Sequence, residues 1–529
     1  MMTDLPKEIL FDHEAKEKLK AGIGKLAKSV EATLGPQGRN IGIDESHGSP
    51  IITNDGWSIV QALELKDPYE DLGISLGKEL TSSIKDKCGD GTTTAIILFN
   101  ALIEKGIKNI TAGCSPIHLK RGMEKAVKAV IQEISSQAIP VKSIKETEDI
   151  ATVSASGNRE VGQMIAAAFQ QAGVITIEEG KGIKTSIEVV KGMQFNRGYV
   201  SPYFCTDVEK QTVILPAPKI LITDKKISSI QDLLPILQTA ATSGESLLII
   251  AEEIEGDALS TLVINKLKGA LKVCAVKAPS FGDNKVAILQ DLAVLTGATL
   301  ITDSLGIPLK DISYDYLGCS EKVEITKDHT SIIDGAGKKS AVASRVAHIE
   351  KEMIQATSSY EIEKLEERKA KLTSGIAIIR VGASTELEMK QKKQIFTDSL
   401  HSTRAAQEEG IVPGGGIAFL RASNKIIDLD LTPEEKIGAE VVQAACLAPA
   451  KQIITNAGLD FSLIIDSLMH KEYSYGFNAL TGQIEDLLQS GVIDPVKVLK
   501  NAVQLAASMA SMVLLSDAII ADAKQTFTD

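Results

Sequence analysis

The fold of this chain is best predicted from Gly89-Asp90-Gly91-Thr92-Thr93-Thr94, followed directly by the apolar run Ala95–Phe99. The glycines permit a tight turn and close approach of a ligand, and the apolar run predicts a buried helix. Because helix N-termini bind phosphate, the three hydroxyls would add donors to a phosphate cradle. A carboxylate beside phosphate must hold a metal ion or orient water, so Asp90 is a candidate catalytic residue of a nucleotide hydrolase. The alternative is an Asp-Gly turn with a threonine N-cap.

Length and composition narrow the class of protein. The 529 residues suggest two to four domains, and the net charge of −12 argues against a nucleic-acid partner. The six cysteines form no C-x-x-C pair, which favours reduced thiols over disulfides or a zinc site. The amino terminus lacks a signal-peptide pattern, and the apolar stretch 506–515 is too short to span a bilayer. We therefore expect a cytoplasmic protein with no membrane partner.

An alternating pattern predicts a separate module in the middle of the chain. Its strand-like runs are Lys219–Thr223, Ser246–Ile250, Lys272–Lys277 and Ala298–Thr302. The helix-like runs between them are Ser228–Thr242, Asp257–Leu271 and Asn284–Thr296. These runs describe an α/β module inserted into a helical protein. Since glycines flank its connections, we expect the module to pivot.

Three further features leave alternatives open. The triplet Gly414-Gly415-Gly416 could admit a base or ribose against the backbone, or could be a simple turn. Asp398 stands in a helical pattern and could be a solvated surface charge. Asp494-Pro495 looks like an N-cap followed by proline in the first helical position. None of these features decides a function alone.

Taken together, these motifs resemble one family. Its phrases occur here in order, as Thr33-Leu34-Gly35-Pro36, Thr53-Asn54-Asp55-Gly56, Gly89 to Thr94, Gly192-Met193-Gln194-Phe195, Arg197 to Phe204, Gly414 to Gly416 and Asp494-Pro495. The chain is similar to group I chaperonins, the bacterial GroEL family, from its first helix to about residue 524.

The resemblance implies a multidomain α and α/β subunit. Residues 1–136 and 409–529 would form a helical equatorial domain that binds ATP. Residues 137–190 and 377–408 would form a small α/β intermediate hinge domain. Residues 191–376 would form an inserted α/β apical domain.

The resemblance also implies activity, cofactors and partners. ATP, Mg²⁺ and K⁺ would drive a homo-oligomer of two stacked seven-membered rings. A GroES-type co-chaperonin lid would close the chamber in which non-native client proteins fold. The alternative within this fold is a binding or scaffold paralogue with weak or no ATP turnover.

The family's motifs assign roles to individual residues. Asp55 and Asp398 match the carboxylates that order the attacking water, and Asp90 matches the Mg²⁺ ligand. The positions expected to contact ATP are Thr33, Leu34, Gly35, Pro36, Asn54, Asp90, Gly91, Thr92, Thr93, Thr94, Gly415, Asn478, Ala479, Leu480 and Asp494.

Apolar residues surround most of two helix patterns in the inserted module. One face of each helix can pack on the sheet, which leaves the other face available to a partner. With three nearby aromatic residues, that surface matches the family's client- and lid-binding positions. The predicted surface consists of Tyr199, Tyr203, Phe204, Leu234, Leu237, Leu259, Val263 and Ile264. A thicker core is the alternative interpretation.

The chain departs from the family pattern at the nucleotide motifs. Asn54 stands where the family usually has lysine, Leu480 replaces a smaller alanine, and Pro413 precedes the glycine triplet. Asparagine cannot bring charge to a phosphate, and charge-assisted contacts are roughly twice as strong as neutral ones. These differences suggest a divergent paralogue with weakened ATP affinity or turnover.

Overall fold

The computed structural model describes residues 7–44, 50–180, 182–190, 192–208, 210–280, 282–302, 307–355, 359–373, 375–469 and 471–522. Residues 1–6, at which the sequence shows no signal-peptide pattern, lie outside the described residues.

The helices, in chain order, are α1 Asp12–Glu31, α2 Gly56–Ala62, α3 Pro68–Cys88, α4 Thr92–Thr111, α5 Pro116–Ser136, α6 Ile144–Ser154, α7 Arg159–Gln171, α8 Leu234–Ser243, α9 Gly256–Leu267, α10 Gly282–Thr296, α11 Lys339–Gln355, α12 Ser359–Thr373, α13 Glu386–Glu409, α14 Ile417–Ser423, α15 Pro433–Cys446, α16 Ala448–Asn456, α17 Phe461–Met469 and α18 Val496–Leu515.

The strands, in chain order, are β1 Lys7–Phe11, β2 Ile41–Ile43, β3 Ile51–Thr53, β4 Val174–Glu179, β5 Ser186–Val190, β6 Gly192–Phe195, β7 Val213–Pro216, β8 Lys219–Ile222, β9 Lys226–Ile227, β10 Ser246–Ala251, β11 Glu253–Ile254, β12 Lys272–Lys277, β13 Gly318–Ile325, β14 Thr330–Gly335, β15 Ile376–Val381, β16 Ile411–Pro413, β17 Tyr475–Asn478, β18 Gln483–Asp486, β19 Ile493–Pro495 and β20 Ala518–Asp522.

The chain forms two compact units. The first combines Met1–Ala166 with Ala383–Asp529, and the second is the continuous segment Ala167–Gly382. The insertion of one unit into the other, expected from the sequence, is therefore confirmed. A division into two units does not delimit three domains, so the equatorial, intermediate and apical boundaries stay predictions.

The first unit is a helical bundle around an aliphatic core. Helices α1, α3, α4, α5, α15 and α18 supply most of its buried side chains. Helix α3 begins at Pro68, where the Asp67 carboxylate accepts a hydrogen bond from the Tyr69 amide at 3.0 Å. It ends at Gly89, whose positive φ of 72° closes the helix with a left-handed residue. Strands β1 and β20 pair antiparallel beside this bundle.

Helix α18 is longer than the sequence analysis indicated. It runs for 20 residues and, by length and composition alone, could cross a membrane. Most of its residues are instead buried against the other helices of the bundle. Its apolar composition is accounted for by this position in the core.

The second unit is built on a seven-stranded sheet. Strands β8, β10 and β12 are parallel, and β13, β14 and β6 extend the sheet antiparallel to its other edge, with β7 also paired to β13. Three of the four predicted strands are thus present. The fourth, Ala298–Thr302, is not a strand, because only Ile301 makes an isolated bridge to Thr223. A smaller sheet of β4, β15 and β5 completes this unit.

Candidate active site

The turn between α3 and α4 has the backbone form that the sequence predicts. Gly89 and Gly91 both have positive φ values, 72° and 90°, and α4 begins at Thr92. A Cβ atom on Gly89 would lie 2.2 Å from Cβ of His401, and one on Gly91 would lie 2.5 Å from Cγ1 of Val498. Both positions therefore require glycine for conformation and for space. The free amides of the first turn of α4 point along the helix axis at this turn.

Hydrogen bonds from separate segments fix the Asp90 carboxylate. Its Oδ1 accepts from the Gly91 amide at 2.6 Å, and its Oδ2 accepts from the Ser154 hydroxyl at 2.7 Å. Burial raises the pKa of Asp90 above its ordinary value, against these hydrogen bonds, which lower it. Gly91, not a threonine, occupies the N-cap position of α4, so the threonine hydroxyls of this turn have no capping role.

Asp55 caps the short helix α2. Its two carboxylate oxygens accept from the Trp57 amide at 3.3 Å and from the amide and hydroxyl of Ser58 at 2.9 and 2.5 Å. The next residue, Gly56, packs against the α4 turn so closely that a Cβ atom would lie 2.2 Å from Oγ1 of Thr93. This contact brings the Asp55 loop together with the threonine loop, Thr92–Thr94.

Asp398 is not the surface charge that the sequence allowed. Its side chain is 19% exposed, and Oδ1 accepts a hydrogen bond from the Gln394 amide at 2.7 Å. The Lys85 ammonium lies 4.0 Å from the same oxygen. Burial raises the pKa of Asp398 to about 7; Lys85 and Gln394 oppose this shift, and Asp55 and Asp90 add to it. An environment that sets a carboxyl pKa near neutrality is common at functional sites.

Asp494 is not an N-cap, which corrects the alternative drawn from Asp494-Pro495. It lies in β19, paired with Val412, and α18 begins two residues later at Val496. Burial raises the pKa of Asp494 to about 7, and the negative charge of Asp90 contributes to the increase. Asp55, Asp398 and Asp494 therefore lie within electrostatic range of Asp90, although the four residues belong to separate segments.

The Thr33–Pro36 loop follows α1 and is braced by α16. Asn456 donates from its side-chain amide to the carbonyls of Glu31 and Leu34, each at 2.8 Å. Thr33 is buried and donates its hydroxyl to the Val30 carbonyl at 2.8 Å. Gln37 reaches the hairpin of β17 and β18, where it donates to the Ala479 carbonyl at 2.7 Å. Two of the predicted nucleotide loops are therefore joined directly.

The glycine triplet combines a turn with close packing. Gly415 and Gly416 have positive φ values of 65° and 76°, and a Cβ atom on Gly416 would lie 2.5 Å from the Ala450 amide nitrogen. At Gly414 a Cβ atom would lie 3.2 Å from Oδ1 of Asp494. The backbone of the triplet therefore passes close to this carboxylate.

The predicted adenosine positions differ in exposure. Asn478 is buried. Its side-chain amide donates to the Glu485 carboxylate at 2.6 Å, and its Oδ1 accepts from the Leu480 amide at 2.9 Å. Ala479 is buried, whereas the Leu480 side chain is 64% exposed. Asn54 is also exposed. The side chain of Leu480 consequently has room to turn away from a ligand.

The carboxylate arrangement fits Mg²⁺ held together with a nucleotide. Within the described ranges no group of three or more His, Cys, Asp and Glu side chains forms a metal cage. Mg²⁺ is ordinarily held by one or two carboxylates, with waters and substrate phosphates completing the octahedron. Asp90 could supply such a carboxylate, since the Gly91 amide and the Ser154 hydroxyl already orient its two oxygens.

Several residues of the site escaped the sequence analysis. Ser154, Asn456 and Gln37 are distant in sequence from the loops they hold, and nothing in their local pattern indicates this role. The sequence could have indicated a role for Trp57 at the site, because it is the single tryptophan of the chain and stands two residues after Asp55. Lys85 lies 4.0 Å above its ring.

The apolar surface predicted on the second unit is smaller than expected. Tyr203, Leu234 and Ile264 are 63%, 46% and 49% exposed, whereas Tyr199, Leu259 and Val263 are partly buried against the core. Phe204 and Leu237 lie inside the core, at 0% and 7% exposure, and cannot present their side chains to a partner in this conformation. For these two residues the thicker-core interpretation is correct.

Comparison with known proteins agrees with this architecture. The TCP-1/cpn60 chaperonin family matches residues 26–524. Chaperonin GroEL 3 of Protochlamydia amoebophila (strain UWE25) is 56% identical over 522 residues, 98% of each chain. The chaperonin gp146 from the bacteriophage EL 2 (Pseudomonas aeruginosa), crystallised in the presence of ATP-BeFx, has a TM-score of 0.70 at 21% identity, over 98% of this chain and 99% of that chain.

The fold is that of a chaperonin subunit. The chain belongs to the TCP-1/cpn60 chaperonin family and is a GroEL-type, group I bacterial chaperonin. The resemblance inferred from the motifs, the multidomain α and α/β fold class, and the function of an ATP-dependent folding chaperone are confirmed at the level of the family.

Proposed function

We propose that this chain hydrolyses ATP at the α3–α4 turn and uses the reaction to promote protein folding. The observation that carries the proposal is the Asp90 turn at the N-terminus of the buried helix α4, which packs against Gly56 beside Asp55 and has Asp398 and Asp494 within electrostatic range. Free helix amides and the hydroxyls of Thr92, Thr93 and Thr94 would hold the phosphates, as would the Thr33–Pro36 loop. Gly415, Asn478, Ala479 and Asp494 would contact the adenosine.

Phosphoryl transfer to water needs neutralised charge and an aligned nucleophile. Asp90 would hold Mg²⁺, which supplies positive charge to the phosphates when bound. Asp398 and Asp55 would accept hydrogen bonds from the attacking water and orient it. A carboxylate with a pKa of about 7 is well matched to accept a proton near neutral pH.

The same proposal includes the assembly and its partners. Two stacked seven-membered rings, a GroES-type lid and non-native client proteins are expected, with a K⁺ requirement and a cytoplasmic location. The exposed side chains of Tyr203, Leu234 and Ile264 support an apolar docking surface on the second unit.

Calorimetry with ATP and electron micrographs of the purified protein, with and without a lid protein, test the proposal. We expect nucleotide binding, slow hydrolysis that depends on Mg²⁺ and is faster in K⁺ than in Na⁺, and ring-shaped particles. Absence of adenine nucleotide binding at millimolar concentration would overturn it. Rings that bind ATP without turnover would instead identify a scaffold paralogue.

The Asn54→Lys variant tests the expected weakness of the nucleotide site. A charged partner for phosphate should lower KM for ATP or raise kcat by roughly fivefold, since charge-assisted contacts exceed neutral ones by about 1 kcal/mol. Asn40→Lys adds the same charge at another exposed loop position and serves as the control. Identical steady-state kinetics for Asn54→Lys and the wild type would contradict the prediction.

A further inference from the structure

Lys85 is a basic residue that lies beside the Asp398 carboxylate of the candidate site. It lies in the last turn of α3, its side chain is 21% exposed, and its ammonium is 4.0 Å from Oδ1 of Asp398. The same ammonium lies 4.0 Å from the centroid of the Trp57 ring. Lys85 therefore has both an ionic partner and an aromatic partner.

The ring of Trp57 is held by the turn that also places Asp55. The backbone amide of Trp57 donates to Oδ1 of Asp55 at 3.3 Å, and Asp55 caps the helix in which Trp57 lies. The electron-rich face of an indole attracts a cation, most strongly when the pair is shielded from water. Trp57 thus provides a fixed platform that keeps the Lys85 ammonium on the side of Asp398.

The carboxylates of the site make a nearby positive charge favourable. Four carboxylates converge there, and a bound triphosphate would add further negative charge. Asn54, the neighbour of Asp55, is uncharged and exposed. Without a nearby cation, repulsion would favour a neutral or displaced Asp398.

We propose that Lys85, held against Trp57, is a positioning residue that supplies the positive charge that Asn54 does not carry and keeps the Asp398 carboxylate oriented toward the attacking water. This role rests on the proposed ATP hydrolysis and deepens it. Lys85 acts through Asp398 and needs no contact with the nucleotide itself.

The electrostatics of Asp398 agree with this geometry. Lys85 is the strongest influence that lowers the pKa of Asp398, followed by the hydrogen bond from Gln394. Burial raises this pKa most, and the charges of Asp55 and Asp90 raise it further. Removing the ammonium would therefore raise the pKa of Asp398, so that more of it is protonated at neutral pH and unable to accept a proton from water.

Lys85→Gln tests the role kinetically. We expect kcat at pH 7 to fall about tenfold, the effect of roughly one lost charge interaction, with KM for ATP changed much less. The acidic limb of the pH–kcat profile should move to higher pH, so that the difference from the wild type narrows above pH 8. Lys85→Arg retains a cation that can stack on the ring and should restore most of the activity.

Lys87→Gln is the matched control. It removes the same charge from the same helical turn, but Lys87 is exposed. Its kinetics and pH profile should equal those of the wild type. A normal kcat and an unshifted pH profile for Lys85→Gln would overturn the role of Lys85, while wild-type ATP turnover would leave the proposed function intact.

Trp57 provides a readout that does not depend on turnover. As the single tryptophan of the chain, it reports any change at the Lys85 ammonium through its fluorescence. In nucleotide-free protein the emission should change in Lys85→Gln and remain as in the wild type in Lys87→Gln. Unchanged emission in Lys85→Gln would contradict the placement of the ammonium, whatever the ATPase activity.

A double-mutant cycle connects Lys85 with Asn54. If the two positions supply the same charge, Asn54→Lys should raise kcat more in the Lys85→Gln background than in the wild type. Strictly additive effects would contradict the proposed compensation. Failure of the wild type to bind ATP would overturn the proposed function and this role with it.

Discussion

The carboxyl group of Asp398 is held in a largely dry position with one amide donor and one ammonium nearby. At the residue scale, this environment has a thermodynamic cost. Burial raises the pKa of Asp398 to about 7, well above the ordinary value near 4. Between these two pH values the folded state holds a proton that the unfolded state has released, so the free energy of unfolding falls as pH rises through this range.

Asp398→Asn should therefore stabilise the nucleotide-free protein while abolishing ATP turnover. At pH 8 we expect a Tm higher by roughly 2–6 °C, with the difference lost near pH 3, where Asp398 is mostly protonated in both states. Scanning calorimetry of the variant and the wild type at the two pH values measures this difference in Tm. Glu386→Gln, at an exposed position of the same helix, should show no such pH dependence. An equal Tm difference at both pH values would contradict the assignment.

At the scale of elements, the site depends on how closely the α2 and α4 N-termini approach each other. Gly56 is the residue that permits this, because the Thr93 hydroxyl occupies the space where a Cβ atom would be. The sequence pattern alone identifies Gly89 and Gly91 as turn residues. Gly56 has an ordinary helical φ, so its requirement arises from a neighbour 37 positions along the chain and not from its own backbone.

Gly56→Ala should push the Asp55 loop and the threonine loop apart. We expect a several-fold higher KM for ATP, or a loss of roughly 1–3 kcal/mol of stability if the loops resist separation. Gly24→Ala is the control, since the nearest atom to its Cβ position is 3.9 Å away and alanine favours a helix. Steady-state ATPase assays and thermal melts distinguish the two variants. Matching behaviour of both variants would show that the Gly56 contact is unimportant.

At the scale of the whole molecule, the chain separates chemistry from client contact. The carboxylate site belongs entirely to the first unit, and the exposed apolar side chains Tyr203, Leu234 and Ile264 belong to the second. Each unit has its own hydrophobic core. A substitution on the apolar surface should consequently affect client binding without disturbing the nucleotide chemistry of an isolated subunit.

Leu234→Glu should abolish capture of a chemically unfolded client protein and leave basal ATPase activity within about twofold of the wild type. A buried charge at a docking surface opposes association because the charge must lose its water. Ile354→Glu, at an 84% exposed position of the same unit outside the predicted surface, is the control. Light scattering of the client during dilution from denaturant measures capture. Equal capture by the two variants would refute the predicted surface.

The sequence by itself determined the class of protein and the turns of its candidate site. Turn residues, helix starts and the insertion of an α/β module follow local rules of backbone conformation and hydrophobic periodicity, so Gly89, Gly91, α4 and three of four strands in the module could be predicted. Which apolar side chains stay exposed, as Leu234 does and Leu237 does not, was decided only by packing. The same holds for the ionisation of Asp398 and the positions of Lys85, Ser154 and Asn456. A pKa and a buried face depend on neighbours that folding brings from distant segments, and no local pattern records those distances.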